Sequence, residues 1–382
     1  MRVYSRRDEE NIRDEAMVTD WIRSGFLNAE QEPLLQAGLR ATVRRTNVVL
    51  RAVLAVFTVL IIGASVILAM IVLEVQQPAQ SALLAVFSGI CFGIAWLLAK
   101  QGRLYRCGVE EAFAMMAVFL LAFSLGSSRW EYHTALAVGV GALASFGIYL
   151  LFGFRYAMVG SILLAGWIPF GLREDAVVER ALSLMILTVI LFFARKVQEQ
   201  HHGEISGDDW TAGQVTAFGA LYFVVNLMIS GPVLGLQSIA SGPFYWCTYV
   251  LTWIVPVWGL WLGIRGRDRL MINAGALAAL ITLTTNKPYL GWMRQTWDPI
   301  LLGVLLIGTA IGLRRWLIQG PDRNHRGFTP ERILESDNRA LAAAGAISMV
   351  LPHAPAPQGG PEPQKMNPGG GQSGGGGASG SF

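Results

Sequence analysis

The chain has 382 residues, of which 53% are hydrophobic and only 15% charged, against about 25% charged in an ordinary soluble domain. That deficit argues against a soluble two-domain globule and makes the bilayer the expected solvent. A formal net charge of +4 is too small for a nucleic-acid surface and fits basic residues gathered on cytoplasmic loops of a membrane protein.

The first 51 residues read as a polar helical hairpin. A helix from Asp8 to Gly25 carries Ile12, Ala16, Met17 and Trp21 near helical spacing, and Gly25 is placed to supply a left-handed cap. Asn28-Ala29-Glu30-Gln31 then resembles a capping box opening a second helix through Leu34, Leu35, Leu39 and Val43. The head mixes nine Arg with eight Asp and Glu, which argues against a DNA-binding helix-turn-helix and against nucleic acid as a partner. No short apolar core with a cleavage site occurs here, so no cleaved leader is expected.

Residues 52–317 are expected to form an all-α, polytopic transmembrane bundle of about ten spans. The first uncharged run, Val53 to Leu73, is long enough for a hydrocarbon core of about 30 Å. Further runs follow at Ser81 to Ala99, Ala112 to Gly126, Ala135 to Phe152, Ala157 to Phe170 and Val177 to Ala194. The second half adds Thr211 to Gly235, Gly242 to Ile264, Leu270 to Thr285 and Pro299 to Leu313. The third, fifth and tenth runs are short, so the count has a margin of one or two.

Basic residues set the expected orientation. Arg44, Arg45 and Arg51, then Lys100, Arg103 and Arg106, Arg155, Arg195 and Lys196, and Arg265, Arg267 and Arg269 fall on alternate loops; the remaining loops are poorer, with Arg173 and Arg180 assigned to one of them. Both termini are thereby expected in the cytoplasm of a bacterial inner membrane. Residues 318–351 read as a juxtamembrane segment with an amphipathic helix starting at Thr329-Pro330, and residues 352–382 as a disordered Pro- and Gly-rich tail ending in Phe382.

Few residues point to chemistry, and no catalytic, cofactor or metal site is assigned. No ionisable group falls near the middle of a proposed span, which weakens ion-coupled transport. Glu110 and Glu111 open the third span; adjacent positions diverge by about 100° on a helix, so dipole complementation at a wet end is the expected role. His201, His202, Glu204, Asp208 and Asp209 have metal-ligand types without a metal-ligand spacing and read as a solvated loop. Cys91, Cys107 and Cys247 are an odd set with no clustered partners and read as inert packing groups.

Trp246, Tyr249 and Trp253 make an aromatic stripe on the eighth span, near the kink-forming Pro256, and read as belt or packing residues before ligand-stacking ones. Trp130, Glu131, Tyr132 and His133, with Tyr289, Trp292, Trp297 and Asp298, read as interface anchors at the outer ends. Asn226 and Asn273 are expected to hydrogen-bond between helices. Small residues at Ala137, Gly141 and Ser145, and at Gly308 and Gly312, are expected to let helices approach closely.

Trp21-Ile22-Arg23-Ser24-Gly25-Phe26-Leu27 with Glu30-Gln31, and Gly102-Arg103-Leu104-Tyr105-Arg106 leading to Glu111-Ala112, resemble the bacterial predicted membrane proteins called "domain of unknown function 2157". The resemblance covers the first third of the chain and implies no catalytic residue. The ending from Ser373 to Phe382 is similar to Gly-rich tails of some TPM-domain membrane proteins and implies a recognition end. The sequence therefore leads to a membrane scaffold or sensor that recruits protein partners through the hairpin and Phe382. A carrier of small neutral or amphipathic molecules comes second, and a membrane enzyme last.

Overall fold

A computed structural model describes residues 3–23, 43–74, 79–126, 132–172, 175–200, 205–236, 241–293 and 297–319, with isolated positions between them. The second helix of the expected hairpin lies largely outside the described residues, as do residues 320–382 and with them Phe382. Among the described residues the chain forms twelve α-helices and no strand. They are α1 (Arg6–Arg23), α2 (Val48–Val72), α3 (Ala79–Lys100), α4 (Val109–Gly126), α5 (His133–Phe152) and α6 (Arg155–Trp167). Then come α7 (Ala176–Gln200), α8 (Ile205–Val225), α9 (Leu227–Leu234), α10 (Pro243–Gly266), α11 (Arg269–Tyr289) and α12 (Asp298–Ile318).

Helices rather than strands follow from long apolar runs whose backbone groups must bond internally once water is excluded. Starts and stops are local. Asn47 caps α2 by accepting from Leu50 N–H at 2.7 Å, Asp268 caps α11, and Gly153 closes α5 in the left-handed conformation.

Each of the ten expected runs lands on helix, but among the described residues only seven helices (α2, α3, α4, α5, α7, α10 and α12) are long and apolar enough to cross a membrane; the bent pair α8 and α9 would make eight. The shortfall has three physical causes. Helix α6 has 13 residues and reaches further only through a 3-10 turn at Ile168–Gly171. Helix α11 is diluted by Asn273, Thr282, Thr284, Thr285, Asn286 and Lys287. The seventh run is not one helix, because α8 and α9 meet at an angle of 94°.

Successive helices pair as hairpins, α3 with α4, α5 with α6, α7 with α8 and α10 with α11. The core between them is aromatic and aliphatic, centred on Tyr149, Phe152, Phe154, Leu187, Leu191, Phe218 and Tyr222. Large apolar side chains such as Leu60, Leu143 and Ile307 point outward, the inverse of a soluble protein and the expected arrangement against lipid.

Small residues set the closest approaches. Ser145 Oγ donates to Ala157 O at 2.7 Å, and a Cβ on Gly141 would stand 3.3 Å from Ala122 Cβ, as the Ala137-Gly141-Ser145 spacing anticipates. The tighter seam joins α10 to α11. A Cβ on Gly263 would lie 2.7 Å from Ile272 N, and one on Gly275 would lie 2.8 Å from Leu260 N. Gly308 and Gly312 instead face open space, and α12 is mostly exposed, with Asp298, Leu302 and Gly303 half-buried, so the close packing expected at Gly308 and Gly312 is corrected.

Candidate functional site

Two buried polar clusters lie at opposite ends of the bundle. The first seats the N-terminal head. The loop between α3 and α4 doubles back through left-handed Arg103 and Arg106 and through Gly108, whose φ is +96°. It pairs with the segment before α2, as Arg44 N–H donates to Arg103 O at 2.9 Å and Tyr105 N–H donates to Arg44 O at 3.0 Å. At Gly108 the chain presses on α2 so closely that a Cβ would sit 2.1 Å from Arg51 O. Only glycine meets both the conformation and the contact.

That close approach carries Glu110 and Glu111 inward. Arg51 forks onto Glu111, with Nε donating to Oε2 at 2.6 Å and an Nη donating to Oε1. Glu110 is fully buried, accepts from Cys107 N–H at 2.7 Å through Oε1, and has no partner at Oε2. Both carboxylates were expected at a wet helix end; burial beneath the head corrects that reading.

Tyr4 lies edge-on to Tyr105 at 5.0 Å and near Phe154 at 6.5 Å, and Val3 N–H donates to Leu151 O at 2.8 Å. Burial pushes the Tyr4 phenol above its ordinary range, with Glu110 and Glu111 adding to the shift. Burial likewise raises the Cys107 thiol, reinforced by Glu110, and its Sγ lies 3.2 Å from Arg44 O. Helix α1 adds buried Glu9 and Val18, and Glu15 pairs with Arg45 at 2.5 Å. Asp209, expected in a solvated loop, is buried and pairs with Arg155, tying the start of α6 to α8.

The second cluster surrounds the break between α8 and α9. Arg180, expected on an outer loop, lies in α7 with 1% exposure and donates to Ser230 Oγ at 2.7 Å and Val224 O at 3.3 Å. Tyr289 Oη accepts from Leu227 N–H at 2.6 Å and donates to Val225 O at 3.3 Å, so one hydroxyl serves backbone groups on both sides of the break. Asn226 Nδ2 donates to Tyr222 Oη at 3.1 Å and Thr285 Oγ1 at 3.0 Å, the interhelical role expected of it. The run continues from Tyr222 to Thr282, which donates to Thr252 O. Tyr289→Phe is expected to strand the buried Leu227 N–H and cost about 1–3 kcal/mol, read as a lower unfolding temperature in detergent. An unchanged temperature would show that the hydroxyl does not hold the break.

Other sequence readings divide. Trp246 and Trp253 point outward while Tyr249 Oη donates to Asn286 Oδ1 at 2.8 Å. Asn273 faces outward instead of bonding between helices. Trp292 and Trp297 are exposed, but Tyr289 belongs to the buried network, which corrects its assignment as an anchor. Cys91 and Cys107 are buried and Cys247 is exposed. His201, His202 and Glu204 lie outside the described residues, as do Trp130 and Glu131; among the described residues no group of three His, Cys, Asp or Glu is placed to hold a metal ion.

The clusters were hard to see in sequence. Arg180 stands four residues into an apolar helix, where its exposure depends on helix rotation, and the break at Asn226 carries no proline at that position. The spacing Gly259-x-x-x-Gly263 was the one readable signal for the α10–α11 seam.

All-helical among the described residues, with seven helices of membrane length, the chain has the make-up of a multi-pass membrane protein. Comparison with protein-family models, with curated proteins and with solved structures gives no match.

Proposed function

We propose that this protein is a membrane scaffold or sensor of the bacterial inner membrane, in which the N-terminal head is mechanically tied to the bundle and the C-terminal tail recruits partners. The observation that carries the reading is the seating of the head. Tyr4, Arg44 and Arg51 engage the α3–α4 loop and the buried start of α4, so a shift among α2, α4 and α6 changes the surface that holds the head. The resemblance of the head and of the Gly102–Arg106 loop to the "domain of unknown function 2157" proteins is part of this proposal, because the resembling loop is the one on which the head rests.

Ten crossings and cytoplasmic termini belong to the same proposal. Support comes from end-to-end matching. Helix α6 starts beside Phe152 and Phe154 and its 3-10 extension ends where a Cβ on Gly171 would touch Ala135 N at 2.6 Å, so it runs the length of α5. Helix α11 starts at the α7 and α8 loop end, where Asp268, Arg195 and Gln214 line one cavity, and finishes against the break at Tyr289.

Pull-down from native membranes tests the reading with wild type, Tyr4→Ala and Phe382→Ala. Wild type is expected to capture a shared partner, Tyr4→Ala to capture it in altered yield, and Phe382→Ala to lose it. Equal yields from all three would remove the recruitment role. A second reading, a carrier for small molecules, is favoured by buried Arg180 against a broken helix, an arrangement that marks substrate paths in membrane proteins. Neither cluster brings together the convergent acid, base and nucleophile that an enzyme would need.

A further inference from the structure

A cavity of about 90 Å³ lies at the loop end of α7, α8, α10 and α11, lined by Arg195, Glu199, Gln214, Leu262, Asp268 and Met271 among others. One water needs roughly 10–15 Å³ in this measure, so the space admits a small molecule. Gln214 is 5% exposed, and its Oε1 is buried with no hydrogen-bond partner. Asp268 has its Oδ1 occupied by Leu270 N–H at 2.9 Å and Met271 N–H at 3.4 Å as the cap of α11, while its Oδ2 is also buried with no partner.

Both orphans are acceptors, which sets the class of ligand. A buried acceptor left unpaired costs about 1–3 kcal/mol, and an anion would set oxygen against oxygen. Of the two cavity-lining carboxylates, Glu199 is already engaged by Arg195 Nε at 2.9 Å, leaving too few anionic ligands for a divalent metal. Arg265, Arg267 and Arg269 flank the site along the chain and are exposed, with the Arg265 guanidinium turned onto the Trp261 ring at 5.2 Å. A primary ammonium has three N–H donors, for which Asp268 Oδ2 and Gln214 Oε1 are two unfilled acceptors, and Leu262 and Met271 offer an apolar wall for its stem.

We propose that this cavity binds a primary ammonium group, carried either by a free small alkylamine or by the ethanolamine headgroup of a membrane lipid. The site is independent of the head junction and of the tail.

The test is thermal unfolding of the full chain in nanodiscs, for wild type, Asp268→Asn and Gln214→Leu. Asn caps a helix about as well as Asp, so Asp268→Asn keeps α11 capped while removing the charge. In discs of phosphatidylcholine and phosphatidylglycerol, ethylamine is expected to raise the wild-type unfolding temperature by about 2–4 °C at saturation, and tetramethylammonium, which has no N–H, is expected to leave it unchanged. If the lipid is the source, discs containing phosphatidylethanolamine show the rise and ethylamine adds nothing further. Either pattern, absent in both variants, supports the site. The proposal is overturned if neither amine source shifts wild type, if tetramethylammonium acts equally, or if the variants keep the shift. Gln214→Leu raising stability while wild type ignores amines would mark a cavity holding water only.

Discussion

Gly108→Ala is expected to be among the most damaging single-methyl additions in this chain, lowering stability by about 2–5 kcal/mol. Two costs combine. A non-glycine residue held at φ +96° carries strain of about 1–3 kcal/mol, and the new Cβ meets Arg51 O, a backbone atom that has no rotamer to escape through. Relief requires moving α2 away from the α3–α4 loop, which stretches the Arg51–Glu111 fork and uncovers Glu110. Gly93→Ala, on α3 with open space around the added methyl, is the matched control and is expected to be neutral or slightly stabilising. Unfolding temperatures of the two variants in one detergent check this, and equal values would mean that the loop is not pressed against α2.

The second large effect is at the α10–α11 seam. Gly263→Leu and Gly275→Leu each drive a branched side chain into the backbone of the facing helix and are expected to cost at least about 3 kcal/mol. Separation of these helices also pulls Thr282 from Thr252 O and Tyr289 from the α8–α9 break, so the damage spreads to the Arg180 cluster. Gly308→Leu on α12, by contrast, enters open space and is expected to change nothing measurable. Yield and thermal stability of the three variants decide it. A loss at Gly308 equal to that at Gly263 would show that α12 packs tightly on a surface of its own.

Helix existence was legible in the sequence because lipid imposes one requirement, internal backbone bonding, and apolar runs declare it. The seam formed by Ala137, Gly141 and Ser145 was legible for the same reason, since small residues at one helical spacing have few other roles. What the sequence concealed depends on which way a helix turns. Glu110 and Arg180 stand near helix ends, where a charged side chain either reaches water or is folded under a neighbour. The loop turned at Gly108 and the break at Asn226 decide the matter, and neither leaves a local mark. Gly308 and Gly312 carried the right spacing but meet no facing helix among the described residues, because spacing licenses close approach without supplying a partner.

The central claim, that the head is seated on the bundle through the α3–α4 loop, is tested most directly at Cys107. Its thiol is buried at the junction, lies against Arg44 O, and is held above its ordinary pKa by burial and Glu110, so it is doubly protected from alkylation. With Cys91→Ala and Cys247→Ala removing the other thiols, a maleimide applied to intact protein in nanodiscs at neutral pH is expected to leave Cys107 unmodified, and Tyr4→Ala is expected to raise its labelling rate by about tenfold or more, corresponding to about 1.4 kcal/mol or more in the opening equilibrium. Rapid labelling of the parent protein, or equal slow labelling with and without Tyr4, would contradict the account.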